Sequence, residues 1–159
     1  MSNFRAAYEK GQRGENKGLS MGPGLPTLNR ALNGVQKGRV YTIAAPSKAG
    51  KSTLVDYAFI VQPYLESLET GKKIDWIYFS FEMSRIDKEF DFAAYFLYHD
   101  YGIETVILPE GVKREGSSVI QLSSNYLRGR MLDDNDKVIL VNKDIEEKLI
   151  QVYENRIVP

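Results

Sequence analysis

RVYTIAAPSKAGKS, residues 39–52, decides the expected fold. Its first half, residues 39–45, is an apolar run with β-branched side chains, which predicts a buried strand. The loop 46–50 follows, and apolar side chains that recur every three or four residues then predict a helix over 51–69. A strand that turns through a glycine-containing loop into a helix is the setting that a phosphate-binding loop requires.

Residues 45–52, APSKAGKS, fit the Walker A pattern with alanine where its first glycine usually stands. Such a loop points several backbone N–H groups and a helix N-terminus at a polyphosphate. We expect Lys51 to reach the β- and γ-phosphates of ATP and to act in catalysis, and the Ser52 hydroxyl to ligate Mg²⁺. The alternative is a chance GKS in a surface turn. The predicted nucleotide-binding residues are Ala45, Pro46, Ser47, Lys48, Ala49, Gly50, Lys51, Ser52 and Thr53.

A second apolar run, IDWIYFSF at residues 74–81, predicts another strand, and Glu82 follows it directly. The carboxyl ends of parallel strands line the ligand crevice of a sheet, so Glu82 would face the γ-phosphate. A carboxylate there could orient and deprotonate the attacking water. It could equally place negative charge at the N-terminus of the next helix. The residue types alone leave both roles open.

The alternation of strand and helix predicts an α/β fold over residues 19–159, with a parallel sheet and crossover helices. Residues 1–18 are polar and are expected to form a flexible or weakly helical lead-in. Pro63 predicts a kink or a break in the helix after the loop. The remaining expected elements are helices over 26–33, 86–98 and 145–157, short strands over 106–108 (or a turn) and 137–141, and a short helix or loop over 123–131.

Composition excludes several functional classes. The chain has 159 residues, with 21 Lys plus Arg against 21 Asp plus Glu, so net charge argues neither for nor against nucleic acid. It has no cysteine, which excludes disulfides, thiolate metal sites and cysteine nucleophiles. The sequence offers neither a signal-peptide core nor an apolar run long enough to span a bilayer. We expect a soluble cytoplasmic protein with no membrane contact.

Three blocks resemble the RecA-like motor domain of DnaB-type replicative helicases, particularly phage-encoded relatives. They are residues 24–38, GLPTLNRALNGVQKG, the loop-bearing residues 41–52, and residues 77–84, IYFSFEMS. The resemblance covers about residues 22–84 and is weaker over 124–131 and 138–141. It implies a P-loop NTPase fold, in which a RecA-like parallel sheet is flanked by helices, and a place in the host cytoplasm if the chain is phage-encoded. It also implies that Glu82 is the catalytic glutamate. It also implies a homo-oligomer, a ring such as a hexamer, that binds ATP between subunits and grips single-stranded DNA.

Two departures from that family bear on activity: a missing aspartate, and an end at residues 157–159, where we expect a RecA-like core to be only partly built. No aspartate matches its Walker B position, since residues 138–141 are followed by Asn142, Lys143 and Asp144, and Asp144 is expected to begin the last helix. We expect a piece of a longer motor or a shortened gene product that binds nucleotide better than it hydrolyses it. A RecA-like recombinase ATPase and a non-catalytic nucleotide-binding or assembly protein stay as alternatives to the helicase.

Other side chains have less specific interpretations. The only histidine, His99, is expected at the surface or at a helix end. Arg128 and Arg130 could contact phosphates, although a solvated basic loop is the simpler interpretation. Six aromatic residues with helical spacing could stack bases, although packing in a core or between subunits fits that spacing better; they are Phe90, Phe92, Tyr95, Phe96, Tyr98 and Tyr101.

Overall fold

The computed structural model describes residues 2–15 and 17–157, which divide into two compact units, Met1–Ile77 and Tyr78–Pro159. Each unit has its own buried side chains, and each is described below by itself. Helices are the main regular element of both units, and 47% of the structure is helical.

The first unit contains α1 (Ser2–Gln12), α2 (Pro26–Leu32) and a long helical stretch made of three parts. That stretch begins as α3 (Lys51–Val55), continues as a π-helical turn, π1 (Asp56–Val61), and ends as α4 (Gln62–Thr70). Gly71 stops it in the left-handed conformation, with φ 67°. The helix therefore continues through Pro63, which has no N–H to donate. The π-helical turn lies just before this proline.

The segment before the phosphate loop packs against this long helix. Met21 is fully buried, and its N–H donates to the Asn29 side chain at 3.1 Å. The Tyr41 hydroxyl accepts from the Gln36 N–H at 2.9 Å and donates to the Gly34 carbonyl at 3.1 Å. The Tyr41 ring lies 5.2 Å from that of Phe59, centroid to centroid. These contacts hold the segment before the loop 45–52 against the helical stretch that follows the loop.

The second unit contains α5 (Arg85–Tyr101), β1 (Thr105–Ile107), β2 (Val119–Gln121), α6 (Ser124–Leu127), α7 (Lys143–Val152) and a terminal π-helical turn, π2 (Tyr153–Ile157). β1 and β2 pair antiparallel, with Val106 opposite Ile120. The side chain of Ser84 accepts from the Asp87 N–H at 3.1 Å and so caps the N-terminus of α5. Gly102 ends α5 at φ 67°.

The core of the second unit lies between α5 and the elements that follow it. Its buried apolar side chains are Ala93, Phe96, Leu97, Val106, Leu108, Ile120, Tyr126, Leu127, Ile139, Ile145 and Val152. The Tyr126 hydroxyl accepts from the Asn142 N–H at 2.8 Å, and the Asn142 side chain in turn caps α7. One buried phenol thus ties α6 to the start of α7.

The expected RecA-like parallel sheet is wrong. In the ranges 2–15 and 17–157, the structure is helical with a single two-stranded antiparallel sheet. Neither residues 39–45 nor residues 74–81 join a ladder, and Val40 and Phe81 are 94% and 100% exposed. An apolar, β-branched run favours a strand, but it becomes one only where a neighbouring strand satisfies its backbone groups. Both runs lack that neighbour within the described chain.

The expected helices agree with the structure in position. α2, the helical stretch 51–70, α5 and the stretch 143–157 match the helices expected over 26–33, 51–69, 86–98 and 145–157. The short strand expected over 137–141 is wrong, because only Val138 forms an isolated bridge, to Leu132. β2 was not expected, and the segment expected to lead in contains α1.

Candidate phosphate-binding loop

The loop 45–52 makes a tight turn before α3. The Ala49 N–H donates to the Pro46 carbonyl at 3.3 Å, and the Leu54 N–H donates to the Gly50 carbonyl at 2.9 Å. Lys48 and Gly50 are both left-handed, with φ 60° and 79°. Left-handed residues alternating with right-handed ones turn successive N–H groups toward a common centre, which is how backbone concavities bind anions.

Lys48 is strained, since a side chain makes the left-handed conformation unfavourable by about 1–2 kcal/mol. Gly50 adopts the same conformation without that strain, because it has no Cβ. A strained lysine two residues before a left-handed glycine, on an exposed loop, is a departure from the lowest-energy turn. Such departures concentrate at ligand-binding sites.

Lys51 folds back over the loop that precedes it. Its ammonium donates to the carbonyls of Ala45 and Pro46, both at 2.9 Å. The side chain thus leaves the first turn of α3 and lies against the backbone of residues 45–46. The geometry is the one in which a lysine can exchange carbonyl oxygens for phosphate oxygens.

The remaining loop residues are open to solvent. The predicted ligands that are exposed are Ala45, Pro46, Ser47, Lys48, Ala49, Gly50, Ser52 and Thr53. Ser52 and Thr53 lie in the first turn of α3, where the hydroxyls stand beside the unpaired N–H groups of a helix start. Lys51, between the exposed loop and these two exposed residues, is half-buried.

Glu82 belongs to the second unit and is exposed. It lies in a bend in which the Met83 N–H donates to the Ser80 hydroxyl at 3.0 Å. The residue that caps α5 is Ser84, so the carboxylate of Glu82 does not provide the side-chain cap. Its assignment as a catalytic residue stays a prediction.

The interpretation of Arg128 as part of a solvated basic loop is wrong. Its side chain is 9% exposed and its guanidinium contacts Asp87 at 2.6 Å and Asp91 at 3.4 Å. Arg130 joins the same carboxylate of Asp87 at 3.2 Å. A hydrogen bond from Ser84 and another from Arg128 hold the pKa of Asp87 below its ordinary value. The network joins α5 to α6, a structural role that sequence alone does not reveal.

In the second unit, a polar concavity of about 580 Å³ lies at the C-terminal end of α5. The His99 ring and the Arg156 guanidinium contact the Asp100 carboxylate at 2.7 and 2.9 Å. Burial acts to raise the pKa of Asp100 and is the largest single effect, but His99 and Arg156 together outweigh it and lower that pKa. His99 is exposed at a helix end, as the sequence led us to expect.

Sequence reasoning missed Lys88, a lysine that is 6% exposed. Its ammonium lies 3.5 Å from Asp91 and 5.6 and 6.0 Å from the ring centroids of Tyr78 and Phe92. Asp91 and Phe92 follow Lys88 by three and four residues, and side chains at these spacings meet on a helix. That spacing is the sequence signal that could have indicated the contacts of Lys88.

Asp144 lies in the first turn of α7, as expected. Its carboxylate contacts the Lys148 ammonium at 2.6 Å.

Within residues 2–15 and 17–157, no three histidine or acidic side chains converge on a position that could hold a metal ion. None of the helices in these ranges is long and apolar enough to cross a membrane. No protein-family model, curated protein or solved structure matches this chain.

Proposed function

We propose that this chain binds a nucleoside triphosphate, ATP, together with Mg²⁺, through the loop 45–52. The single observation that carries the proposal is the position of the Lys51 ammonium, 2.9 Å from two carbonyls of the loop that it follows. A triphosphate would take that ammonium and the N–H groups of the loop, while Ser52 would complete the coordination of a Mg²⁺ ion carried by the phosphates.

The loop geometry supports this proposal over a chance GKS turn. A chance turn does not need a lysine side chain directed back at the backbone. A surface lysine of that kind ordinarily extends into water, where its ammonium keeps its hydration. The combination favours an anion site whose positive charge is already in place.

The first experiment measures ATP affinity by titration calorimetry, with and without Mg²⁺. Lys51→Ala removes the ammonium and is expected to weaken binding by at least about 30-fold, because a charged hydrogen-bond partner is lost at the site. Lys37→Ala is the matched control, an exposed lysine in the turn before the loop, and should bind like the wild type. Equal ATP affinity in wild type and Lys51→Ala would refute the proposal.

Hydrolysis is a separate question from binding. The resemblance to DnaB-type helicases makes Glu82 the residue proposed to activate water, and a ring acting on single-stranded DNA the proposed assembly. Glu82→Gln should keep ATP affinity and remove any turnover, measured as phosphate release with and without single-stranded DNA. Undiminished turnover in Glu82→Gln would exclude the catalytic role. Binding without turnover in the wild type would favour the non-catalytic nucleotide-binding protein.

A further inference from the structure

In β1, alternate residues direct their backbone groups toward β2 and away from it. The Glu104 carbonyl and the Leu108 N–H both bond to residues that flank β2, at 2.9 and 2.8 Å. In an antiparallel pair, every second residue faces the neighbouring strand in this way, so Val106 between them also faces β2. The N–H and C=O groups of Thr105 and Ile107 therefore point to the outer edge of β1.

The outer edges of the two strands differ in how they are covered. At the edge of β2, the Ser117 hydroxyl donates to the Val119 carbonyl at 2.8 Å and accepts from the Val119 N–H at 3.0 Å. At the edge of β1, no hydrogen bond from residues 2–15 or 17–157 reaches the outward N–H and C=O groups of Thr105 and Ile107. An uncovered edge of this kind is a template for a further strand.

The open edge of β1 borders a concavity of about 500 Å³ in the second unit. Residues 102–107 line one side of it, and the start of α7 lines the other with Asn142, Asp144 and Ile145. Ile145 is 6% exposed, whereas Ile107 is 74% exposed. The outward backbone groups of β1 are therefore accessible to an extended segment, beside an apolar side chain that the fold leaves open to water.

Charge distinguishes between the possible occupants of this edge. Glu104 and Asp144 are the charged residues among those that line the concavity. The Asp144 carboxylate contacts the Lys148 ammonium at 2.6 Å, whereas the Glu104 carboxylate has no ion pair or hydrogen bond with the described residues. Opposite charges that face each other across strands stabilise the pair, and like charges destabilise it. A second copy of β1 would add a second Glu104, so a basic segment fits the edge better.

We propose that the outer edge of β1 binds an extended, basic peptide segment of a partner protein as a third strand. The partner bonds to the outward backbone groups of Thr105 and Ile107 and places a lysine or arginine beside Glu104. An apolar side chain of the partner lies beside Ile107, which faces Val119 across the sheet. Main-chain bonds supply the affinity of such strand addition, and alternate side chains supply its specificity. The proposal is independent of nucleotide binding at the loop 45–52.

The experiment titrates the isotope-labelled full chain with the end-blocked peptide TKVTVKT, followed by NMR spectroscopy. The peptide has a lysine near each end, so that one of them reaches Glu104 in either strand direction. Binding should slow hydrogen exchange at the Thr105 and Ile107 N–H groups, because each gains a partner. The Val106 N–H already faces β2 and is the internal control. The peptide TEVTVET, with both charges reversed, should bind at least about fivefold more weakly.

Variants of the chain test the role of Glu104. Glu104→Gln should weaken binding of TKVTVKT about threefold, the effect of one exposed ion pair. Glu110→Gln is the matched control, because Glu110 is an exposed carboxylate that does not line the concavity, and it should bind like the wild type. Glu104→Lys should reverse the preference, so that TEVTVET binds more tightly than TKVTVKT.

A third variant tests the backbone contact. Thr105→Pro removes one outward N–H, at an edge position where proline costs no bond to β2, and should weaken binding of both peptides about tenfold or more. Circular dichroism establishes whether each variant is folded. The Glu104 variants change only an exposed side chain, so they decide the question if Thr105→Pro disturbs the fold.

Four results would each overturn the proposal. They are a wild type that binds neither peptide, equal affinity for the two peptides, a preference that Glu104→Lys does not reverse, and binding that leaves exchange at Thr105 and Ile107 unchanged. Exchange at these two groups that slows with protein concentration in the absence of peptide would assign the edge to a second copy of the chain, which also contradicts the proposal.

Discussion

Gly34 allows the chain that follows α2 to lie close to the backbone of Leu19. It has φ 78°, and a Cβ at this position would lie 2.6 Å from the Leu19 carbonyl oxygen. Gly38 has a similar φ, 75°, but a Cβ there would meet nothing within 4 Å. The two glycines therefore separate the effect of backbone conformation from that of close approach.

We expect Gly38→Ala to lower the free energy of unfolding by about 1 kcal/mol, the strain of a left-handed alanine. Gly34→Ala should lower it further, by about 3 kcal/mol, because the Leu19 carbonyl must also move. Urea denaturation of both variants measures the difference. Equal losses of unfolding free energy would show that the Leu19 carbonyl moves aside without a measurable cost.

Asp87 gives a pH dependence whose sign follows from its lowered pKa. An aspartate that ionises more easily in the folded chain stabilises the fold above the unfolded pKa, about 3.9, and loses that contribution as pH falls through the lower folded pKa. Asp87→Asn should therefore be less stable than the wild type at neutral pH, with a difference that vanishes in acid.

Denaturation at a series of pH values, followed by circular dichroism, measures this difference. Glu110→Gln is the control, because Glu110 is an exposed carboxylate outside the network of Arg128. A stability difference between Asp87→Asn and wild type that stays constant down to strong acid would contradict the assignment.

At the scale of elements, Tyr126 links α6 to α7. Its hydroxyl is the acceptor for the Asn142 N–H, and the side chain is 1% exposed. Tyr126→Phe keeps the ring and removes that acceptor, so it should lower the free energy of unfolding by about 1–3 kcal/mol. Thermal or urea unfolding measures it, with the exposed Tyr8→Phe as control. A loss no larger than that of Tyr8→Phe would show that another group, such as water, replaces the hydroxyl.

The helices and the strands differ in how far sequence could predict them. The helices were predictable because their signals are local: Pro26 at the first turn of α2, Gly71 after α4, and apolar spacing between. The runs 39–45 and 74–81 carry equally strong strand patterns, but a strand needs a partner that its own sequence does not name. β2 has three residues, too few for alternation to be visible.

The residues discussed as candidate site residues also differ in how far their structure could be predicted from local sequence. The turn and the helix start of the loop were predictable, because Gly50 and the GKS pattern act locally. The burial of Arg128 was not, because Asp87 and Asp91 lie 41 and 37 residues away from it along the chain. Contacts between distant segments depend on packing, and a single sequence contains no direct signal of them.

At the scale of the whole molecule, the two compact units predict independent responses to mutation. The partners of Gly34 lie in the first unit and those of Tyr126 in the second. The losses caused by Gly34→Ala and Tyr126→Phe should therefore add to within about 0.5 kcal/mol in the double variant, measured at one protein concentration. A double variant that deviates by more would reveal coupling between the sites.

The Lys51 ammonium, engaged by Ala45 and Pro46, has a consequence for selectivity among anions. Any anion that recruits this ammonium must first compete with two oxygens that already accept from it. Sulfate or inorganic phosphate offers one tetrahedral group in that competition, whereas a chain of three phosphates also reaches the amides and the Ser52 hydroxyl. The resting lysine would thus screen out small, abundant anions before any contact with a base or sugar is made.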